Sequence, residues 1–370
     1  MCNLMDKIKV SERLDSVVEE SLNRLKDEKR RKRRKKVLVS VSGAAAVFAY
    51  AFIFFNANPA MAAKLPVIGE LFDQIEETVS YKGNYSEHSD VLLSEKEINK
   101  LEEGEIVDSP YVQISNGITV AVSEVSYSGQ ALYLAMEIRN EEAFPESFYG
   151  NAVSENVGYQ RLYLECSSGT SGENYLMYAE GYFKDEHTFI GIIRHDTTGF
   201  IRGDGSGVFG INYYLEIDAI RGDAADAAET AAKKYDGEWN FKIHAEADPN
   251  QICTVEVGAE GERGFIIKGV VRTPYEVHAD IGVPEGQDAK GYITLICDAN
   301  GDLLPRQGDD WENYSTYQRD TSKVSVFVCD YDEYMDQLKA HYIETADQMT
   351  YAEYLSEYAL VSAEVAFETE

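Results

Sequence analysis

Hydrophobic positions along the chain change their spacing three times, and each change predicts a different kind of element. In the first 36 residues Ile8, Leu14, Val17, Val18, Leu22 and Leu25 recur near i, i+3, i+4 and i+7, the spacing of an amphipathic helix. Ser11 suits its N-cap, and Glu12 and Asp15 fall in the first turn, where the helix dipole favours acids. Polar positions then vanish between Val37 and Phe55, VLVSVSGAAAVFAYAFIFF. That stretch carries no charge and approaches the roughly 20 residues a helix needs to cross a hydrocarbon core. After it, Pro59 and Pro66 punctuate a segment in which Ile68, Leu71, Phe72 and Ile75 form a short apolar stripe. LLSEKEINKLEEG predicts a second short helix: Ser94 caps it, Glu95 and Glu97 fill its first turn, and Gly104 stops it.

From Tyr111 the period falls to 2. Ile118, Val120 and Val122 alternate with small or polar residues, as do Leu132, Leu134, Met136 and Ile138, with Ser128-Gly129 as a hairpin turn between them. Further strand-like runs follow at RLYLEC, NYLMYAEGYF, HTFIGIIRH, VFGINYYLEI and EWNFKIHAEA, broken by Gly, Ser, Asn and Asp. An Ala-rich insertion occupies Asp223 to Gly237, and Asp248-Pro249-Asn250 marks a boundary. Beyond it come more strands, with Asn300-Gly301 as the strongest hairpin signal. A helical stretch from Tyr331 to about Tyr358 and a closing strand, ALVSAEVAF, complete the chain.

This pattern predicts a mainly β, α+β chain. Its parts are a cytosolic amphipathic and basic tail (1–36), one transmembrane helix (37–55), a juxtamembrane helical segment (56–108) and two β-rich ectodomains (109–249 and 250–370). The ectodomains are expected to be antiparallel sandwiches of immunoglobulin-like type, the second ending in a helix and a strand.

Charge sharpens the topology. Lys29 through Lys36 is an unbroken basic run that includes Arg30, Arg31, Lys32, Arg33, Arg34 and Lys35. Placed directly before the apolar stretch, it holds the N-terminus in the cytosol and sends the bulk outside. Residues 1–36 hold 13 basic and 7 acidic side chains, leaving 21 basic and 58 acidic beyond, a swing from +6 to −37 within a net charge of −31. Such a tail suits anionic inner-leaflet lipid, and such an acidic exterior excludes nucleic acid as its direct ligand. Ala60-Met61-Ala62 has the look of a signal-peptidase site. The region before the apolar run and the run itself both exceed signal-peptide dimensions, so a retained anchor is expected.

Chemistry is sparse. Cys166, Cys253, Cys297 and Cys329 lie on the oxidising side and allow three connectivities, among which the sequence does not choose. Cys297 and Cys329, each ending a strand-like run, are the favoured pair. Asp298-Ala299-Asn300-Gly301-Asp302 has its glycine too early for a calcium loop and is read as a turn. His187 and His195 flank one strand without further ligands. No nucleophile elbow, Walker loop or H-E-x-x-H motif occurs. No catalytic residue, metal ligand or cofactor site is expected, and the chain is read as a non-enzyme.

The run NPAMAAKLPVIGELFD resembles a family of Gram-positive single-pass membrane proteins whose ectodomain is of unknown function and which look like anti-sigma factors. Asn58, Pro59, Ala60, Ala62, Leu65, Pro66, Ile68, Gly69, Leu71 and Phe72 carry the resemblance, with Ser115 to Val120 and Tyr127 to Leu134. It implies a regulator of an extracytoplasmic-function sigma factor, held at the cell membrane and engaging that factor through Leu14, Val17, Val18, Leu22 and Leu25. The rival expectation is a membrane-anchored surface binding or adhesion protein with a purely topogenic tail. The extracellular ligand is unknown under both.

Overall fold

The computed structural model describes residues 71–370 apart from 104, 106, 146–147, 149–158, 169–174, 199–206, 223–233, 309–311, 346–348 and 368–370. The tail, the apolar stretch and residues 223–233 of the Ala-rich insertion therefore lie outside the described residues, and the insertion's last four residues, Lys234 to Gly237, open a strand. Among the described residues no helix is long and apolar enough to cross a membrane.

The fold is mainly β and its sheets are antiparallel. The chain enters through α1 (Leu71–Ile75), a 3-10 turn (Tyr85–His88), the two-residue strand β1 (Asp90–Val91) and α2 (Glu95–Glu102). Ser94 caps α2 in a reciprocal box with Glu97, as its sequence predicts. Strands β2 (Val112–Ser115), β3 (Ile118–Tyr127), β4 (Ala131–Asn140), β5 (Gln160–Ser168), β6 (Tyr175–Phe183), β7 (Thr188–Asp196), β8 (Gly210–Arg221) and β9 (Lys234–Glu246) follow. With β1 they form one nine-stranded sheet in the order β1-β3-β4-β7-β6-β5-β8-β9, β2 pairing with β3.

This first unit is a single continuous sheet that curls on itself, rather than two separate sheets. Its far strand returns to its near edge: Trp239 Nε1 donates to Ile118 O at 3.1 Å, and Asn116 Nδ2 to Asp236 O at 2.7 Å. Side chains from β3 through β9 fill the enclosed space, among them Val120, Leu134, Leu164, Tyr213 and Trp239. The β2–β3 turn is Asn116-Gly117, both at positive φ (50° and 78°), which a type I′ hairpin requires. At Asn300-Gly301 only Gly301 has positive φ. There Asp298 accepts from the backbone N–H groups of Asn300 and Asp302, and this local turn leaves Asn300 in an ordinary conformation.

After a 3-10 turn at Pro249–Gln251, β10 (Cys253–Glu260), β11 (Ile266–Arg272), β12 (Glu276–Gly282) and β14 (Asn313–Ser315) make a four-stranded sheet. The strands β13 (Tyr292–Cys297), β15 (Lys323–Asp330) and β16 (Val361–Ala366) make a three-stranded one. The two share a core that includes Ile267, Val277, Ile296, Val326 and Val365. The expected C-terminal helix is divided: Tyr331–Glu333, a π turn at Tyr334–Leu338 and Lys339–Thr345, then a separate helix at Tyr351–Ser356 that Thr350 caps. Their tyrosines cover the outer face of the three-stranded sheet.

Candidate functional site at the junction of the β-units

Strands β8 and β9 alternate between inward and exposed residues over most of their length, and β10 between half-buried and exposed ones, as a sheet with one wet face should. Strands β3 and β4 are buried almost throughout. Their second face is covered by the segment Leu71–Leu93, here called the strap. Leu71, Phe72, Ile75, Val79, Tyr81, Tyr85 and Leu93 of the strap are all buried, against Ala121, Ala131, Tyr133, Ala135, Ile190 and Ile192. The small side chains of β3 and β4 leave room for the strap to lie close on the sheet.

A β-bulge aims the sheet at the strap. Ile118, Val120 and Val122 point into the enclosed core, and continued alternation would point Glu124 there too. The β3–β4 register shifts between Val122 and Glu124, and Val125 and Tyr127 take up the inward positions. Glu124 therefore faces outward, where it accepts the backbone N–H of Phe72 at 3.2 Å. A second buried carboxylate, Glu180 on β6, accepts the N–H of Ser80 at 2.7 Å and is paired with Arg161.

Beside the strap the two β-units meet. Arg194 of β7 donates to both carboxylate oxygens of Glu276 on β12, at 2.7 and 2.9 Å, and Tyr133 of β4 donates to the same group. Tyr85 of the strap lies 4.3 Å from Tyr133 and 4.6 Å from Tyr275, ring centre to ring centre. It thus contacts one ring from each unit. Its hydroxyl donates to Tyr81 O, and the Tyr81 hydroxyl donates to Ile192 O. Because Tyr85 and Tyr133 both donate elsewhere, each accepts from Gln307 Nε2, at 3.1 and 3.4 Å. Burial holds the pKa values of Tyr81, Tyr85 and Tyr133 well above the usual phenol range, so these rings act as neutral donors.

A cleft of about 280 Å³ opens at the edge of this junction. Its lining includes His88 and Asp90 from the strap side, Tyr127 and Glu246 from the first unit, Asp248 from the connection and Tyr275 from the second. A group bound there would touch all three parts at once. The three carboxylates and two phenol rings suit a small cationic group. Among the described residues no three His, Cys, Asp or Glu side chains are grouped to hold a metal.

The residues predicted from sequence fall elsewhere. Leu14, Val17, Val18, Leu22, Leu25 and the basic positions Arg30 to Lys36 lie outside the described residues. The expected Cys297–Cys329 disulfide is corrected: both are free, buried thiols. Cys297 stands opposite Ser325 and Cys329 opposite Ile293, a four-residue offset. At about 3.3 Å per residue this separates them by roughly 13 Å along the strand, beyond a disulfide's roughly 7 Å reach. Cys253 is also a free thiol. His195 sits inside the curled sheet, bonded to Tyr213. The junction residues were missed because the outward positions of β3 and β4 read as solvent-facing. Two signals were available: the apolar stripe at Leu71, Phe72 and Ile75, which suits docking on the first β-domain or on the bilayer, and Glu124, an acid at the next position of an inward-facing series.

Residues 31–140 match the model of a domain of unknown function, DUF4179. The match runs from the basic run through the strap and ends with β4, so it takes in two of the strands on which the strap lies. No curated protein matches the chain. A solved structure described as the crystal structure of the conserved domain protein from Bacillus anthracis is similar at 16% identity. It covers 71% of this chain and 85% of that one, with a TM-score of 0.44.

Proposed function

We propose that the chain is a non-catalytic, single-pass membrane regulator with an anti-sigma-factor-like role. Its N-terminus is cytoplasmic, its β-rich bulk is extracellular, and the tail residues Leu14, Val17, Val18, Leu22 and Leu25 engage a sigma factor. One observation carries this reading: the segment following the apolar stretch is the same segment wedged between both β-units. Residues 56–70 separate Phe55 from Leu71, so a change at the junction has a short path to the anchor. The cleft supplies a place where an extracellular cation-bearing ligand would bear on the strap. For the second β-unit, the packing of a four-stranded on a three-stranded sheet supports the immunoglobulin-like reading.

The test is direct binding of the tail. A peptide of residues 1–36 is expected to bind a sigma factor encoded beside this chain, and replacing Leu14, Val18, Leu22 and Leu25 with Ser should abolish that binding. A tail that binds none would sink the sigma-factor reading and leave the surface-binding alternative.

A further inference from the structure

We infer that the strap, Leu71–Leu93, is a detachable conformational unit, released from the β-units as one piece while both remain folded. The inference deepens the regulator reading, on which only its signalling consequence rests. Three observations carry it.

The strap is part of almost no ladder. Its contribution is β1, two residues paired to Val125 and Glu124; α1 and the 3-10 turn at Tyr85–His88 are single short turns. Beyond these, the Leu92 and Leu93 N–H groups end on Ser123 O and the Tyr81 hydroxyl on Ile192 O, while other attachments end on side chains: Phe72 N–H on Glu124, Ser80 N–H on Glu180, Tyr85 on Gln307, and Glu77 on Tyr317. Leaving would break these without opening the β3–β4 or β4–β7 pairing, and elements of this kind open below the global unfolding energy.

The direct contacts between the β-units do not pass through the strap. Arg194 and Tyr133 reach Glu276, and Ser126 meets the Tyr275 hydroxyl at 2.6 Å. The units stay joined when the strap leaves.

The grip is incomplete where the strap meets the second unit. Ser80 Oγ and Gln307 Oε1 are buried there with no protein partner among the described residues. A buried polar atom without a partner weakens the docked state. The neighbouring Gly308 has φ +66°, and a Cβ on it would stand 3.1 Å from both Ser80 Oγ and Tyr81 Cδ1. The loop touches the strap closely but does not hydrogen-bond to Ser80 Oγ.

The test is hydrogen exchange, read by mass spectrometry, on the full chain in lipid nanodiscs. Amides of 72–92 should exchange as one set, at least tenfold faster than those of β4 and β7. The proximity at Gly308 permits a reversible lock: Ser80→Cys with Gly308→Cys, once oxidised, should slow the strap amides at least tenfold and leave β4 and β7 unchanged. Reduction should restore the original rates. Should the pair not close, Phe72→Ala carries the test by speeding strap exchange alone. Strap amides that exchange in step with β4 and β7 would overturn the inference, as would strap amides indifferent to the closed lock or, where it does not close, to Phe72→Ala. None of these outcomes depends on the tail, so a failure here and a failure of sigma-factor binding are separate results.

Discussion

The Phe72 backbone N–H and the Glu124 carboxylate meet at 3.2 Å across 52 residues of sequence, and the meeting depends on a bulge that turns Glu124 out of the core. Glu124→Ala leaves the buried N–H unpaired and should cost about 1–3 kcal/mol. Glu124→Gln keeps an acceptor and should cost less than about 1 kcal/mol. Thermal unfolding of the two variants beside the parent checks the order, and equal losses would show that the bond contributes nothing.

Two glycines separate backbone strain from contact with the strap. Gly286 has φ +82° with nothing within 4 Å of an added Cβ, whereas Gly308 has φ +66° with Ser80 and Tyr81 at 3.1 Å. Gly286→Ala should cost about 1 kcal/mol from its left-handed conformation alone. Gly308→Ala should cost more, with the excess confined to the strap. Denaturant titration gives the totals, and hydrogen exchange locates the excess.

Arg194 and Glu276 form a buried pair between the β-units, with side chains 9% and 0% exposed. Removing one member, as in Arg194→Met, should cost about 3–5 kcal/mol because a buried charge is left alone. The double variant Arg194→Met with Glu276→Gln should recover most of that loss, since Gln still accepts from Tyr133. A double-mutant cycle in urea measures the recovery; simple additivity would contradict the pairing.

How much of this was legible beforehand depended on how local each signal was. Ser94 and Glu97 announce the start of α2 within four residues, and period-2 alternation finds β3 through β9. Whether an outward-facing Ala121 or Ala135 meets water or another segment depends on a strap tens of residues upstream, which no local pattern encodes. The same limit explains Cys297 and Cys329: strand ends are local, but register is a property of the pair. At Asn300 the turn signal was real, and the neighbouring Asp298 carboxylate decided its type.

His195 gives a pH dependence with a defined sign. Burial depresses its pKa from about 6.5 to about 4, with Asp196 opposing the shift. The folded state therefore holds the ring neutral where the unfolded chain would protonate it. Its contribution is fully present above about pH 6.5 and is lost as pH falls through about 4, by up to about 3 kcal/mol. His195→Gln should flatten the stability profile across that window relative to the parent chain. An unchanged slope would remove His195 from the account.

Burial pushes the Cys297 and Cys329 thiols up to about 12. Both should resist a thiol reagent at pH 8 until the chain unfolds, and intact mass under non-reducing conditions should show no bond between them. A mass lower by two hydrogens, mapped to this pair, would restore the expectation from sequence.

The proposed function requires that the strap's docking be communicated to the N-terminal residues 1–36. Transcript profiling of cells carrying Tyr85→Ala, with and without Ser at Leu14, Val18, Leu22 and Leu25, tests it most directly. With membrane levels matched by immunoblot, Tyr85→Ala alone should shift a defined set of transcripts. The tail substitutions should produce a shift of their own, to which Tyr85→Ala adds nothing. A Tyr85→Ala profile indistinguishable from the parent, or one that adds its shift regardless of the tail, would contradict the account.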